Sequence, residues 1–418
     1  MINFQQPLWK IENEMDIFNM AITKFIISGN VDDGKSTLTG RLLYDTGNIK
    51  NDTIASLYDQ SGEMLMANLT DGLKEETEKK ITIDVAYKFF DVGETRFTLI
   101  DAPGHFLYLP NFLSGASQAD TIILLIDAIG GITNQTRKHA LIASFLRIPH
   151  WIIAINKLDL VAYGEELFVQ LEKDFRIAVA TIWHPEELNF IPISALYGEN
   201  CTRLSQKTPW YKGKTILEAL IDSSNRASFA EPNFTCIKPH IIERKEDQFI
   251  LRCTVLSGKL TIGQRFNAIA TTCSVTISDL LYESKGGAMS IMCTVDGALS
   301  SNDILVDKPQ VPLLALEHIS IILFWVSDTV LSIEDEYIMS IQNSEYAVNF
   351  RKVYALQENG FERMNEAAAF SLNYFFEVEV ESTAPIVLAI SYELPILNRG
   401  ILIHRRSGRT VGAFMVKP

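Results

Sequence analysis

At 418 residues, and with roughly 100–200 residues per domain, the chain has room for two to four domains. It is 47% apolar and 21% charged, an ordinary globular composition that builds real cores and excludes a disordered chain. The formal net charge is −14 with no basic tail or block, so the footprint of a nucleic-acid binder is missing.

The five cysteines, Cys201, Cys236, Cys253, Cys273 and Cys293, are scattered with no Cys-x-x-Cys pair. This argues against a metal knuckle or a disulfide framework and fits a reducing cytoplasm. No apolar run reaches the ~18 residues that span a bilayer. Residues 1–20 mix Lys10 with Glu12, Glu14 and Asp16, so they read as an N-terminal tail rather than a signal peptide.

From Ile22 onward, apolar runs alternate with longer amphipathic stretches. Ile22–Ser28, Arg96–Asp101, Thr121–Asp127, Trp151–Asn156 and Phe190–Ser194 are predicted strands. Most are continuously apolar, as strands are when helices cover both faces of a parallel sheet. Lys35–Tyr44, Gln135–Leu146 and Glu165–Ile182 are predicted helices. The alternation implies a doubly wound α/β domain over residues 21–225. Beyond Ser224 the pattern turns to short β-branched and aromatic runs: Phe249–Leu256, Ser274–Leu281, Ile319–Val326, Tyr374–Val380 and Ile386–Tyr392. Turn signals at Ser257-Gly258, Lys285-Gly286-Gly287 and Ser407-Gly408 separate them. Two β-barrels are expected, over 226–311 and 312–418, joined near Pro309 and Pro312.

The first strand leads into Gly29-Asn30-Val31-Asp32-Asp33-Gly34-Lys35-Ser36, followed by Thr37. This is G-x-x-x-x-G-K-[ST] between a strand and a helix, the context of a phosphate-binding P-loop. Its glycines let backbone N–H groups curl around phosphate oxygens, and the helix N-terminus adds positive potential. Lys35 is expected at the β- and γ-phosphates and Ser36 on Mg²⁺. Asp101-Ala102-Pro103-Gly104 ends the next strand. Asp101 there can hold the Mg²⁺ shell and the Gly104 N–H can meet the γ-phosphate; alone, the tetrapeptide is merely a good turn. Asn156-Lys157-Leu158-Asp159 ends a later strand. Asp159 can accept the N–H groups on guanine N1 and N2, Asn156 can bond the base edge, and the Lys157 stem can lie along the base. Ser194-Ala195-Leu196 follows the last strand and offers a backbone N–H to guanine O6. All four segments stand at strand ends, where open α/β sheets bind ligands. Their joint occurrence points to GTP and GDP rather than ATP.

Thr82, in Ile81-Thr82-Ile83-Asp84, is the candidate switch threonine that would sense Mg²⁺ and the γ-phosphate; alone it reads as a strand-start threonine. His105 directly follows Pro103-Gly104 and is placed to orient the attacking water, the alternative being a surface loop histidine. Arg405, Arg406 and Arg409 read as a solvated hairpin, and Phe89-Phe90 and Phe324-Trp325 as core rather than base-stacking platforms. The apolar run Phe106, Leu107, Leu109 and Phe112 is a candidate contact surface, with core packing as the alternative.

The P-loop octet and Thr37, Gly40-Arg41-Leu42-Leu43-Tyr44-Asp45-Thr46, Asp71-Gly72-Leu73, Ile81-Thr82-Ile83-Asp84-Val85-Ala86-Tyr87, Gln135-Thr136-Arg137 and Thr208-Pro209-Trp210-Tyr211 form one set. This set resembles the GTPase subunit of bacterial ATP sulfurylase, sulfate adenylyltransferase subunit 1, in the elongation factor Tu and 1A group. The Val-Asp-Asp filling of the P-loop and Leu-Tyr-Asp-Thr point to the sulfurylase branch. The resemblance is dense to about residue 222 and thin beyond, where Ser257-Gly258-Lys259-Leu260 and Gly400–Val416 carry it. It implies a GTPase whose hydrolysis drives a separate catalytic sulfate adenylyltransferase subunit. That partner makes adenosine 5′-phosphosulfate and pyrophosphate from ATP and sulfate. Two departures alter the switch surfaces: Lys80 stands where the family usually has glycine, and Phe106–Phe112 replaces a more polar run. A tRNA-delivering translation factor, and a diverged paralogue acting as a GTP-dependent scaffold, are the competing readings.

Overall fold

The computed structural model describes residues 21–48, 86–93, 95–101, 109–180, 182, 184–185, 187–229, 233–284, 288–308, 311–356, 374–389 and 394–417. The first unit is built on six strands: β1 (Ala21–Ser28), β2 (Ala86–Val92), β3 (Thr95–Asp101), β4 (Thr121–Asp127), β5 (His150–Asn156) and β6 (Leu188–Pro192). Their order is β2-β3-β1-β4-β5-β6. Every pairing is parallel except β2 with β3. The helices are α1 (Lys35–Asp45), α2 (Leu109–Ala116), α3 (Asn134–Phe145), α4 (Glu165–Val179) and α5 (Ile216–Phe229).

Alternation along the central strands divides the core in two, because successive side chains leave opposite faces of a strand. Phe25, Ile27, Leu99, Ile123, Leu125 and Ile152 pack with Leu38 and Leu42 of α1 and Ile216 and Leu220 of α5. Ile26, Ile100, Ile122, Leu124 and Ile153 pack on the other side with Phe112 of α2, Ile142 of α3 and Phe175 of α4. Helices on both faces bury both sides of β4 and β5, which explains their continuous apolar runs.

The first closed barrel comprises β7 (Cys236–Lys245), β8 (Gln248–Ser257), β9 (Arg265–Ala268), β10 (Ser274–Ser284), β11 (Ala288–Asp296) and β12 (Leu305–Val306), ordered β10-β11-β8-β7-β12-β9. The second comprises β13 (Leu313–Trp325), β14 (Tyr337–Ile341), β15 (Ser344–Leu356), β16 (Phe375–Ala389), β17 (Arg399–His404) and β18 (Thr410–Val416), ordered β13-β16-β15-β14-β17-β18. Both are antiparallel throughout. The second barrel shares a core with the α/β unit. Phe145 of α3 meets Phe375 at 5.3 Å between ring centres and Phe324 at 6.4 Å.

Two elements escape the sequence pattern. Strand β2 is a half-exposed edge, so Phe90 enters the core while Phe89 faces solvent at 42% exposure. Helix α2 holds Pro110 in its first turn, where a missing N–H costs nothing. Its Leu109 and Phe112 are buried in the core, which corrects their reading as a contact surface: the helix turns them onto the sheet. Phe106 and Leu107 lie outside the described residues. Phe324 and Trp325 are core, and Arg405, Arg406 and Arg409 are exposed at the β17–β18 turn. Among the described residues no helix is long and apolar enough to cross a membrane.

Candidate nucleotide site

Four strand ends deliver the site. Beyond β1, Gly29 to Gly34 forms the loop and Lys35 opens α1. Asp33 folds back so that its Oδ2 accepts from Asn30 N at 2.6 Å. Burial raises the Asp33 pKa against that hydrogen bond and the attraction of Lys35. Asp32 is exposed at a left-handed φ of 65° and Val31 is half-buried. Gly29 is the close-approach position, since a Cβ there would lie 3.0 Å from Asp33 Oδ2 and 3.1 Å from Leu125 Cβ. Asn30 Nδ2 donates to Thr133 Oγ1 at 2.8 Å, and Thr133 is also the N-cap of α3. The loop is therefore pinned to a second helix start.

Gly34 caps α1 with no side-chain hydrogen bond. The first-turn N–H groups, from Lys35 through Thr37, stay open to an anion. Lys35 Nζ donates to the Gly29 oxygen at 3.1 Å and to the Asn30 oxygen. Desolvation lowers the Lys35 pKa against the attraction of Asp33, Asp101 and Asp32. Ser36 and Thr37 are half-buried in the same turn.

Asp101 ends β3 beside Ile27 of β1 and is 2% exposed. Its Oδ2 lies 3.2 Å from Lys88 Nζ of β2, while its Oδ1 is buried with no hydrogen-bond partner among the described residues. An orphaned, buried carboxylate oxygen is costly unless a cation or donor completes it. Asp101 therefore fits the Mg²⁺ role. Ala102, Pro103, Gly104, His105 and Thr82 lie outside the described residues.

Asn156, 3% exposed at the end of β5, joins two of the four segments. Its Nδ2 donates to the Asp33 oxygen at 2.7 Å and its Oδ1 accepts from Ala195 N at 2.9 Å. The amide expected at the base edge is occupied in tying the phosphate loop to the base loop. Lys157 follows at a left-handed φ of 63°, and its Nζ donates to Asp127 Oδ2 at 2.7 Å. That bond, with N–H donors from Ile129 and Gly130, outweighs burial and lowers the Asp127 pKa. Asp159 is half-buried in a short 3₁₀ turn, Leu158–Val161. In the loop after β6, Ser194 N donates to the Glu199 oxygen at 3.2 Å and Ala195 N to Asn156. Among the described residues this leaves the Leu196 N–H as the donor for a ligand.

Gly34 is the tightest of these positions. It has φ +97°, and a Cβ there would lie 2.5 Å from Asn156 Nδ2. Gly34→Ala adds left-handed strain, about 1–3 kcal/mol, and displaces the amide that joins the loops. It is expected to weaken guanine-nucleotide binding by roughly 10- to 100-fold, read by equilibrium titration.

Sequence reasoning missed three contributors: Lys88, Asp127 and Arg41. The first two lie on strands flanking the motif strands, with no local signal of their role. Arg41 stands in plain view, five residues beyond Ser36, inside a segment read only as a family match.

The family described as the Elongation factor Tu GTP binding domain matches residues 20–226. Sulfate adenylyltransferase subunit 1 of Citrobacter koseri is 32% identical over 412 residues, covering 95% of this chain and 86% of that protein. The same subunit of Cronobacter sakazakii is 32% identical over 411 residues with the same coverage of both chains. The S. cerevisiae Ski7 GTPase-like domain bound to GTP has the same fold, with a TM-score of 0.58 at 18% identity over 97% of this chain and 99% of that one. The match along nearly the whole chain, and the α/β unit followed by two closed barrels, place this protein in the sulfate adenylyltransferase subunit 1 family of elongation factor Tu-like GTPases.

Proposed function

We propose that the chain binds and hydrolyses GTP and uses the energy to drive a partner subunit that forms adenosine 5′-phosphosulfate and pyrophosphate from ATP and sulfate. The observation that carries the proposal is Asn156. One buried amide fastens a phosphate loop to a base loop, in a chain that is 32% identical along 95% of its length to proteins named for that complex.

The division of roles follows from the chemistry of each position. The open N–H groups of α1 and Lys35 take the phosphates. Lys35 lets go of the Gly29 and Asn30 carbonyls when a phosphate offers charged acceptors, which are stronger. Ser36, Asp101 Oδ1 and Thr82 would hold Mg²⁺, which would supply neutralisation of the phosphate charge. Lys88 keeps the second Asp101 oxygen in place. Asp159 accepts two guanine N–H donors, and the Leu196 N–H meets O6. The Gly104 N–H that follows Ala102 and Pro103 in sequence is assigned to the γ-phosphate, and His105 to orienting the attacking water. Thr82 and Gly104 lose their contacts on hydrolysis, and that difference is passed to the partner. This work belongs in the cytoplasm, where GTP, ATP and the partner are held.

His105→Ala is expected to slow GTP turnover by on the order of 10²–10³ with nucleotide affinity nearly unchanged. Unchanged turnover would return His105 to an ordinary loop residue. The functional test is reconstitution with a catalytic sulfate adenylyltransferase subunit, measuring pyrophosphate release from ATP and sulfate with and without GTP. GTP is expected to raise it. No effect of GTP, combined with protection of aminoacyl-tRNA from hydrolysis, would favour the translation-factor reading. A complex that forms without either effect would favour a scaffold.

A further inference from the structure

Arg41 is the seventh residue of α1, the helix that presents its N-terminus to the phosphates. Its Nε donates to the Ala195 oxygen at 3.3 Å and its Nη2 to the Leu196 oxygen. Its Nη1 lies 3.5 Å from Asp45 Oδ1 one helical turn on, and the Arg41 side chain is only 14% exposed. Asp45 is held in turn by Thr202 Oγ1 at 2.9 Å, from the far end of the base loop. Gly198, at φ +77°, lets the loop close over the arginine stem, since a Cβ there would lie 3.2 Å from Arg41 Cδ. The near end of 194–202 meets the guanidinium directly, and the far end reaches it through Asp45.

A peptide plane fixes its carbonyl and the next N–H in opposite directions. When Arg41 draws the Ala195 carbonyl towards α1, the N–H of Leu196 on the same plane turns away from it. Within Ser194–Leu196, and among the described residues, that N–H is the donor left free after Ser194 N and Ala195 N are taken. A planar guanidinium with several donors can hold two adjacent carbonyls and a carboxylate together, which a lysine ammonium on a flexible stem does poorly.

We propose that Arg41 is a positioning residue for base recognition: by holding the Ala195 and Leu196 carbonyls it aims the Leu196 N–H at guanine O6 and couples the base loop to the helix that receives the phosphates. The proposal deepens the guanine-nucleotide reading and rests on it.

The test compares the full chain with its Arg41→Ala and Arg41→Lys forms, using GDP and 6-thio-GDP, whose sulfur is a poorer acceptor at the position in question. The parent is expected to prefer GDP. Arg41→Ala should weaken GDP by about tenfold, the worth of one hydrogen bond, and should bind 6-thio-GDP with little further loss, so that the preference collapses. Arg41→Lys should restore part of the GDP affinity. Without nucleotide, hydrogen exchange at 194–197 should quicken in Arg41→Ala. A merely structural role would weaken both nucleotides equally and leave the GDP preference as in the parent, which overturns the proposal. If Arg41→Ala does not fold, an Arg41→Lys form with the parent's preference and exchange rates overturns it equally. A parent that binds no guanine nucleotide sinks the underlying reading, an outcome plainly different from a parent that binds while its variants match it.

Discussion

Asp159→Asn is expected to lower affinity for GTP by roughly 10²–10³-fold and to shift preference towards xanthosine triphosphate. The carboxylate is the paired acceptor for guanine N1–H and the N2 amine. Asparagine keeps one acceptor and replaces the other with a donor. Losing a charged acceptor for two donors costs about 3–4 kcal/mol, and each 1.4 kcal/mol is tenfold. Xanthine carries a carbonyl where guanine carries the amine, so the new donor finds a partner. The surroundings favour a clean result. Asp159 sits in a short 3₁₀ turn held by Leu160 N to the Lys157 oxygen at 3.0 Å and Tyr163 N to the Leu158 oxygen at 2.8 Å. These backbone bonds persist in the variant. Competition titrations with both nucleotides check it; unchanged GTP affinity would remove Asp159 from the site.

Arg399→Met is expected to loosen the second barrel from the α/β unit by about 3–5 kcal/mol. Arg399 opens β17, is 2% exposed, and donates to three carbonyls of the other unit: Ser117 at 3.0 Å, Ala119 at 2.6 Å and Leu146 at 2.6 Å. Burial pulls its pKa down to about 10 against the attraction of Asp120, so it stays charged at neutral pH. Leu146 is the C-cap of α3, and Ser117 and Ala119 follow the end of α2. Helix C-termini carry partial negative charge, and a buried cation there compensates two at once. Methionine keeps the stem and removes every donor, leaving three buried carbonyls at about 1–3 kcal/mol each, offset in part by the cation no longer buried. Limited proteolysis and small-angle scattering would show a more open particle. An unchanged particle would assign the docking to the Phe145, Phe324 and Phe375 cluster instead.

The α/β unit was legible because its central strands are covered on both faces, so Thr121–Asp127 and Trp151–Asn156 read as unbroken apolar runs. The barrels were legible as a change of period after Ser224. Strand β2 was not, because an edge strand exposed on one side, Ala-Tyr-Lys-Phe-Phe-Asp-Val, alternates too briefly to stand out. Helix α2 was masked by Pro110, which looks like a helix breaker unless it falls in the first turn. The motifs named the segments of the site but not their ties. Asn156 and Asp33 are 123 positions apart, and Arg41 and Ala195 are 154 apart. A sequence shows a residue type and its neighbours along the chain, and these bonds depend on which strand ends the topology sets side by side. Arg399 is the extreme case. An arginine opening a strand near the end of the chain reads as surface, and only the docking of two units buries it.

The measurement that bears most directly on the account is an equilibrium titration of the purified chain with fluorescent GTP and ATP, with and without Mg²⁺. Three strand ends joined through Asn156, and a fourth that presents a buried Asp101 oxygen with no partner among the described residues, predict tight GTP binding that weakens when Mg²⁺ is removed. They also predict ATP binding weaker by at least about 10², because adenine lacks the paired N–H donors and the O6 acceptor. Equal affinity for ATP and GTP would contradict the account.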